Sequence, residues 1–109
     1  MPASFVPKYS RDKTMTKPQA VATQLIDDER VRVTRFDFAP NAETGWHTHG
    51  FDYVITAVTD LDMMLSHPDG TTSEVKVPAG SAYRRMEGVE HNVINTGATD
   101  MSFVEVELK

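Results

Sequence analysis

Along most of this chain, apolar and polar residues alternate in short runs instead of recurring every three or four positions. The segment Val31-Arg32-Val33-Thr34-Arg35-Phe36-Asp37-Phe38 shows the pattern best. A period of two is the signature of a strand with one buried face. Its apolar set is Val31 and Val33, then Phe36 and Phe38, so the phase slips once near Thr34-Arg35, which predicts a β-bulge there. Residues 20–26 form a short apolar-rich run closed by the charged turn Asp27-Asp28-Glu29-Arg30. After a loop at 40–45, residues 46–49 read as a strand segment. Residues 51–58 read as a buried strand rich in β-branched side chains. Residues 61–66 and 74–77 flank His67-Pro68-Asp69-Gly70, whose composition predicts a hairpin turn. Strands are also expected at 81–86, 91–94 and 101–108, separated by Gly88 and by residues 95–100. No stretch carries a helical period. Short strands at intervals of roughly eight to twelve residues predict an all-β fold, an antiparallel sandwich or barrel.

Length and charge narrow the picture. The 109 residues suit one domain. Apolar residues make up 39% and charged residues 25%, which excludes a wholly disordered chain. No run of about 18 apolar residues is present, so no membrane helix is expected. The N-terminus has no apolar signal region and the chain has no cysteine, so a cytoplasmic protein is expected. The same lack of cysteine excludes disulfides, thiolate metal sites and a cysteine nucleophile. A net charge of −5 disfavours nucleic acid as a partner. That charge is unevenly placed. Residues 1–18 carry Lys8, Arg11, Lys13 and Lys17 against Asp12 alone, leaving +3 there and −8 on the remainder. With three prolines and no periodic pattern, residues 1–18 read as an arm, either flexible or docked on a partner. Residues 19–109 form the domain proper.

The candidate chemistry lies in histidines. His47 and His49 are two apart on an expected strand, so their side chains leave the same face with Cα atoms about 6.5–7 Å apart. Two imidazoles on one face can grip a divalent ion, but a third ligand must come from another strand. His91, just beyond Gly88, stands in such a strand. His67 falls in the polar turn and is expected to face solvent.

At these residues the sequence resembles the cupin superfamily. The second cupin motif, G-x5-P-x-G-x2-H-x3-N, runs from Gly80 through Met86 (where proline is usual), Gly88 and His91 to Asn95. The first motif, G-x5-H-x-H-x(3,4)-E-x6-G, is partial. His47 and His49 match, Asn41 stands at the opening glycine, and Asp60 or Leu61 stands at the closing one. The glutamate position falls on Tyr53 or Val54. The resemblance covers about residues 30–108. It implies a cupin-type double-stranded β-helix, a jelly-roll barrel of two antiparallel sheets with a metal inside. It carries the ligand role over to His47, His49 and His91, without the glutamate. Such a three-histidine centre is similar to that of the thiol dioxygenases of the same superfamily.

Imidazole-only donors suit one divalent transition metal (Fe, Zn, Ni or Cu) better than Mg or Ca. Three neutral ligands leave the ion's full charge and at least one open position for water or substrate. Tyr53 could offer a hydroxyl beside the ion or simply fill core. Tyr83 and Arg85 share one strand face. If that face is interior, Arg85 could clamp a substrate carboxylate near the metal. The other reading pairs it with Glu105 or Glu107, or points it to solvent, and Arg84 takes its place if the register slips by one. Asp52 and Glu87 are the nearest candidate general bases. The expected function is a metalloenzyme, oxygenase-like, acting on a small and plausibly anionic organic molecule. The alternative is a non-catalytic module binding a metal or small ligand. A homodimer is expected, with no nucleic-acid or membrane partner.

Overall fold

A computed structural model of the chain describes residues 17–109. The arm expected at residues 1–18 therefore lies almost wholly outside the described residues. Its last member, Pro18, already docks: the Pro18 carbonyl accepts a hydrogen bond from the Glu43 backbone N–H at 3.0 Å.

Nine strands follow in chain order: β1 (Val21–Asp27), β2 (Val31–Phe38), β3 (His47–Thr48), β4 (Asp52–Ala57), β5 (Leu61–Ser66), β6 (Thr72–Val77), β7 (Ala82–Arg85), β8 (Glu90–Asn95) and β9 (Met101–Leu108). There is no helix among the described residues. The strands form two antiparallel sheets, a five-stranded one ordered β1-β2-β9-β4-β7 and a four-stranded one ordered β3-β8-β5-β6. This is the jelly-roll barrel that the resemblance implies, and it meets the antiparallel all-β fold expected from the alternating pattern.

The turns follow from local chemistry. Asp28 accepts hydrogen bonds from the Arg30 and Val31 N–H groups and so closes the β1–β2 hairpin. Asp69 does the same for Thr71. Asn41, at the position of the motif's opening glycine, has φ 69°. Asparagine is among the few side chains that tolerate this left-handed conformation, so the substitution keeps the turn.

One local expectation is corrected. β2 pairs with β9 in unbroken register from Val31↔Leu108 to Phe38↔Met101. The bulge lies instead in β1, between Gln24 and Ile26. The apparent phase slip in β2 arises because both faces of that strand are apolar in different stretches. Phe36 and Phe38 face the core, while Val31 and Val33 lie on the outer face.

The register also grades the barrel interior. Phe36 pairs with Phe103, and their rings are 5.4 Å apart. The next inward-facing pair along the same two strands is Thr34 and Glu105, and the one after is Arg32 and Glu107. On β4 the inward residues run Ala57, Ile55, Tyr53 in the same direction. Phe38, Leu61, Met63, Met101 and Phe103 thus close one end as a dry core. The other end is polar, and there the opposite sheet brings in its histidines.

Candidate metal centre

His47 in β3 and His91 in β8 are direct register partners. His49, two residues beyond His47, is held on the same ladder. Its N–H donates to the Val89 carbonyl at 2.9 Å, and its carbonyl accepts from the Gly88 N–H at 2.8 Å. Gly88 takes φ 93° to make that turn, which explains the motif glycine. The three rings converge with their Nε2 atoms inward. His47 Nε2 is 3.1 Å from His49 Nε2, which is 3.1 Å from His91 Nε2. The rings lie nearly perpendicular to one another, at 72° to 90°.

This donor set fits a transition-metal ion. At metal–nitrogen bonds of about 2.1 Å, two nitrogens 3.1 Å apart subtend an angle of roughly 95°. That is the angle between neighbouring ligands of an octahedron and narrower than a tetrahedral site's. All three imidazoles are buried. Burial, followed by their mutual repulsion, pushes His49 down to about 2 and His91 down to about 3. Burial also lowers His47, against its hydrogen bond to the Gly45 carbonyl, which raises it. The neutral imidazole is the form that binds metal.

The surrounding loop orients His47. Its Nδ1–H donates to the Gly45 carbonyl at 2.9 Å, the tautomer that puts the ring's lone pair on Nε2, on the side of the other two histidines. Asn92 holds that loop: its side-chain oxygen accepts from the Gly45 N–H at 3.0 Å and its amide donates to Glu43 at 2.6 Å. Asn92 follows His91 on β8 and faces the other side of the strand, so consecutive residues serve the histidine cluster and its supporting loop.

The remaining predicted residues divide. Tyr53, on β4 at the motif's glutamate position, is 2% exposed and stacks on the His49 ring at 3.7 Å with 16° between planes. Its hydroxyl has no hydrogen-bond partner and burial raises its pKa. Tyr83 lines the same cavity, and burial pushes it up to about 12. Arg85 shares the inward phase of Tyr83, as expected, since Ile55↔Tyr83 and Tyr53↔Arg85 pair across β4 and β7. Yet Arg85 sits exposed at the edge, its guanidinium 4.6 Å above the Tyr83 ring, and it does not line the cavity. Asp52 and Glu87 also lie away from the histidines. Asp52 instead accepts from the Glu87 N–H at 2.8 Å. His67 is half-buried in its turn, 2.7 Å from the Ser73 hydroxyl.

The carboxylate that does reach the site is Glu105. It is 3% exposed, with one oxygen 3.8 Å from His49 Nδ1. Burial, then repulsion by Glu107, pushes it up to about 8. Its other oxygen has no hydrogen-bond partner. Glu107 is not available to an ion, because Arg32 takes both its oxygens. The signal for Glu105 was present in the period of β9: Met101, Phe103, Glu105 and Glu107 share one phase, so a carboxylate in step with Phe103 must face inward. The cavity between the sheets is about 20 Å³, lined by the histidines, Tyr53, Tyr83, Glu105 and apolar side chains. That is room for about one water or one ion.

Two antiparallel sheets packed around converging histidines define a class, the cupin barrel with a histidine group able to hold a metal ion. No family model matches the chain. The chain is 50% identical over 93 residues to the "Beta-alanine degradation protein BauB" of Pseudomonas aeruginosa, covering 85% of this chain and 97% of that protein. A crystal structure of a cupin domain from Bordetella pertussis is 46% identical, with a TM-score of 0.83 over 87% of this chain and 98% of that one. A cupin 2 conserved barrel domain protein from Salinispora arenicola shares the fold at 20% identity and a TM-score of 0.64 over 83% of this chain and 76% of that one. The chain belongs to the cupin superfamily.

Proposed function

We propose that this cupin is a metal-dependent enzyme that acts on a small organic molecule at a three-histidine centre, with iron and dioxygen as the leading chemistry. One observation carries the reading: three buried, neutral imidazoles cluster, with the His49 Nε2 3.1 Å from the Nε2 of both His47 and His91. His47, His49 and His91 would hold the ion. When bound, it would supply Lewis acidity and, as iron, one-electron chemistry. The chain's own residues do the rest. Gly45 and Asn92 orient His47, the Tyr53 ring packs against His49, and the apolar walls exclude bulk water. The similarity to a protein named for β-alanine degradation supports a catabolic role for this chain as well.

A second reading has one observation in its favour. The cavity, at about 20 Å³, admits an ion and little else, which suits a module that binds a metal or small ligand without turnover. The deciding experiment is elemental analysis of untagged protein purified without added metal, beside a His47→Ala, His91→Ala double variant. About one iron, zinc, nickel or copper per chain, lost in the variant, is the expected result. Iron with oxygen uptake in a screen of small amines, thiols and carboxylates supports the enzyme. An ion with no turnover in that screen favours the module. No metal in either protein, and none taken up on reconstitution, overturns both forms of the metal reading.

A further inference from the structure

The side chains that wall the cavity are all buried except two, Leu65 on β5 and Tyr83 on β7. Solvent therefore reaches the cavity from their side. There β6, the neighbour of β5, and β7 are the edges of opposite sheets, and they do not pair with each other, so the barrel wall has a seam. On both flanks of that seam the next residue in the inward phase, toward the histidine end, is polar. Beyond Tyr83 it is Arg85, the register partner of Tyr53. Beyond Leu65 it is His67, whose N–H donates to the Thr71 carbonyl at 2.9 Å and so continues the β5–β6 ladder. The β5–β8 ladder ends at Ser66↔Asn92, which sets His67 level with His91.

Neither polar side chain is tied up by the fold. Arg85 makes no ion pair among the described residues. Its guanidinium lies 4.6 Å from the centre of the Tyr83 ring and donates one N–H to the Arg84 carbonyl at 3.0 Å, which leaves its other donors to a ligand. His67 meets the Ser73 hydroxyl through Nε2 at 2.7 Å, which leaves Nδ1. We propose that Arg85 and His67 form an acid-reading rim at the mouth of the cavity, and that the molecule it takes is a small aliphatic carboxylate, with its acid group on the rim and its carbon chain over Leu65 and Tyr83. The planar guanidinium fork matches the two oxygens of a carboxylate. Packing on the Tyr83 ring holds that fork in place before a ligand arrives, which lowers the ordering cost of binding. The rim lies outside the cavity, so the acid group and an ion at the histidines do not compete for one space. The inference names the substrate class of the site proposed above. It rests on that reading for what the rim serves, and not for the binding itself.

The test titrates propionate and propionamide, an acid and its uncharged isostere, into the full chain, both after metal removal and after loading with Zn(II). Backbone amide shifts in proton–nitrogen NMR spectra report binding and its place. Propionate is expected to shift amides along the seam, at Leu65, His67, Tyr83 and Arg85, in both forms. It is expected to bind about tenfold or more tightly than propionamide, as a charge-assisted hydrogen-bond pair requires. Arg85→Gln is expected to abolish that preference and Arg85→Lys to keep part of it. His67→Gln is expected to reduce it about threefold, the loss of one neutral hydrogen bond. Propionamide is expected to bind the variants and the parent alike, whereas a merely structural role would move both probes together. Arg85 is exposed and His67 half-buried, so the variants are expected to fold, and the contrast between probes in the parent chain tests the rim without them. Equal binding of the two probes, no binding of either, or a preference that survives Arg85→Gln overturns the proposal. Propionate that binds only the zinc form and ignores Arg85 also overturns it, and leaves the metal reading standing. If the chain takes up no zinc, the metal reading falls, while an acid preference that depends on Arg85 still upholds this inference.

Discussion

His47, His49 and His91 suit an ion because they are buried and neutral, and the same burial makes the metal-free protein sensitive to pH. In the unfolded chain each imidazole takes a proton near its ordinary value of 6.5. In the folded chain all three are lowered, His91 to about 3 and His49 to about 2. Below pH 6.5 the unfolded state therefore binds more protons than the folded one, and stability falls as pH falls. Glu105 acts in the opposite sense. Its folded value of about 8 lies above its ordinary 4.5, so its contribution is full below 4.5 and is lost as pH rises through 8. In the overlap, three imidazoles outweigh one carboxyl. The expected result is a stability maximum of the metal-free protein near pH 6.5, with melting temperature falling on both sides. Thermal melts from pH 5 to pH 9 check it, and a monotonic rise across that range would contradict the assigned protonation states.

Between elements, the β2–β9 pairing holds the site's polar end in place. Arg32 and Glu107 are register partners on the inward face, and the guanidinium takes both carboxylate oxygens. The Glu107 side chain is 5% exposed and the Arg32 side chain 19%. Removing the cation leaves a buried carboxylate uncompensated beside Glu105. Arg32→Ala is expected to cost roughly 3–5 kcal/mol, whereas replacing the pair with Arg32→Met and Glu107→Leu is expected to recover most of that loss. Urea denaturation midpoints of the two variants measure the difference. Equal loss in both would mean that packing, not charge, is what the pair contributes. The same register explains the β2 expectation that failed. Periodicity reports which residues alternate, but not whether the alternate face is wet. Val33 lies in a row with Ile26, Val106 and, across β9, Val54, so apolar residues on the outer face imitate a change of phase.

At the scale of the whole molecule, that outer row is the notable surface. Val21, Leu25 and Ile26 on β1 and Leu108 on β9 are exposed, and β1 and β7 are open sheet edges. We propose that two copies pair and that the basic residues at the N-terminus help to hold them. Light scattering of the full chain is expected to give twice the 12.2 kDa chain mass. Removal of residues 1–16 is expected to shift it toward the monomer. A truncated chain that stays dimeric would reject the role of the arm without touching the dimer. Among the described residues, no helix is long and apolar enough to cross a membrane.

Much of the candidate site was legible before folding, for a definite reason. His47 and His49 lie on one strand, and the two-residue period puts them on one face whatever the rest of the chain does. His91 and Asn95 were found through motif spacing, because a barrel of short strands leaves little freedom in where the next turn falls. Asn95 indeed ties the loops on either side of it, bonding the Phe38, Ala39 and Thr99 carbonyls. Glu105 was weighed only as a possible partner of Arg85. Its phase on β9 was readable, but that β9 runs between β2 and β4, and so faces the histidines, follows only from non-local pairing.

Local alternation and turn chemistry thus decided the all-β class and nearly every strand, since each depends on residues a few positions apart, and the motif resemblance singled out the three candidate histidines. Tertiary structure alone decided that Arg85 stays at the edge, that Arg32 occupies Glu107, and that Glu105 and Tyr53 are left unpaired beside His49. Those outcomes depend on which strands become neighbours, and on which of several carboxylates each cation can reach once water is excluded. A linear pattern of residues does not contain that competition.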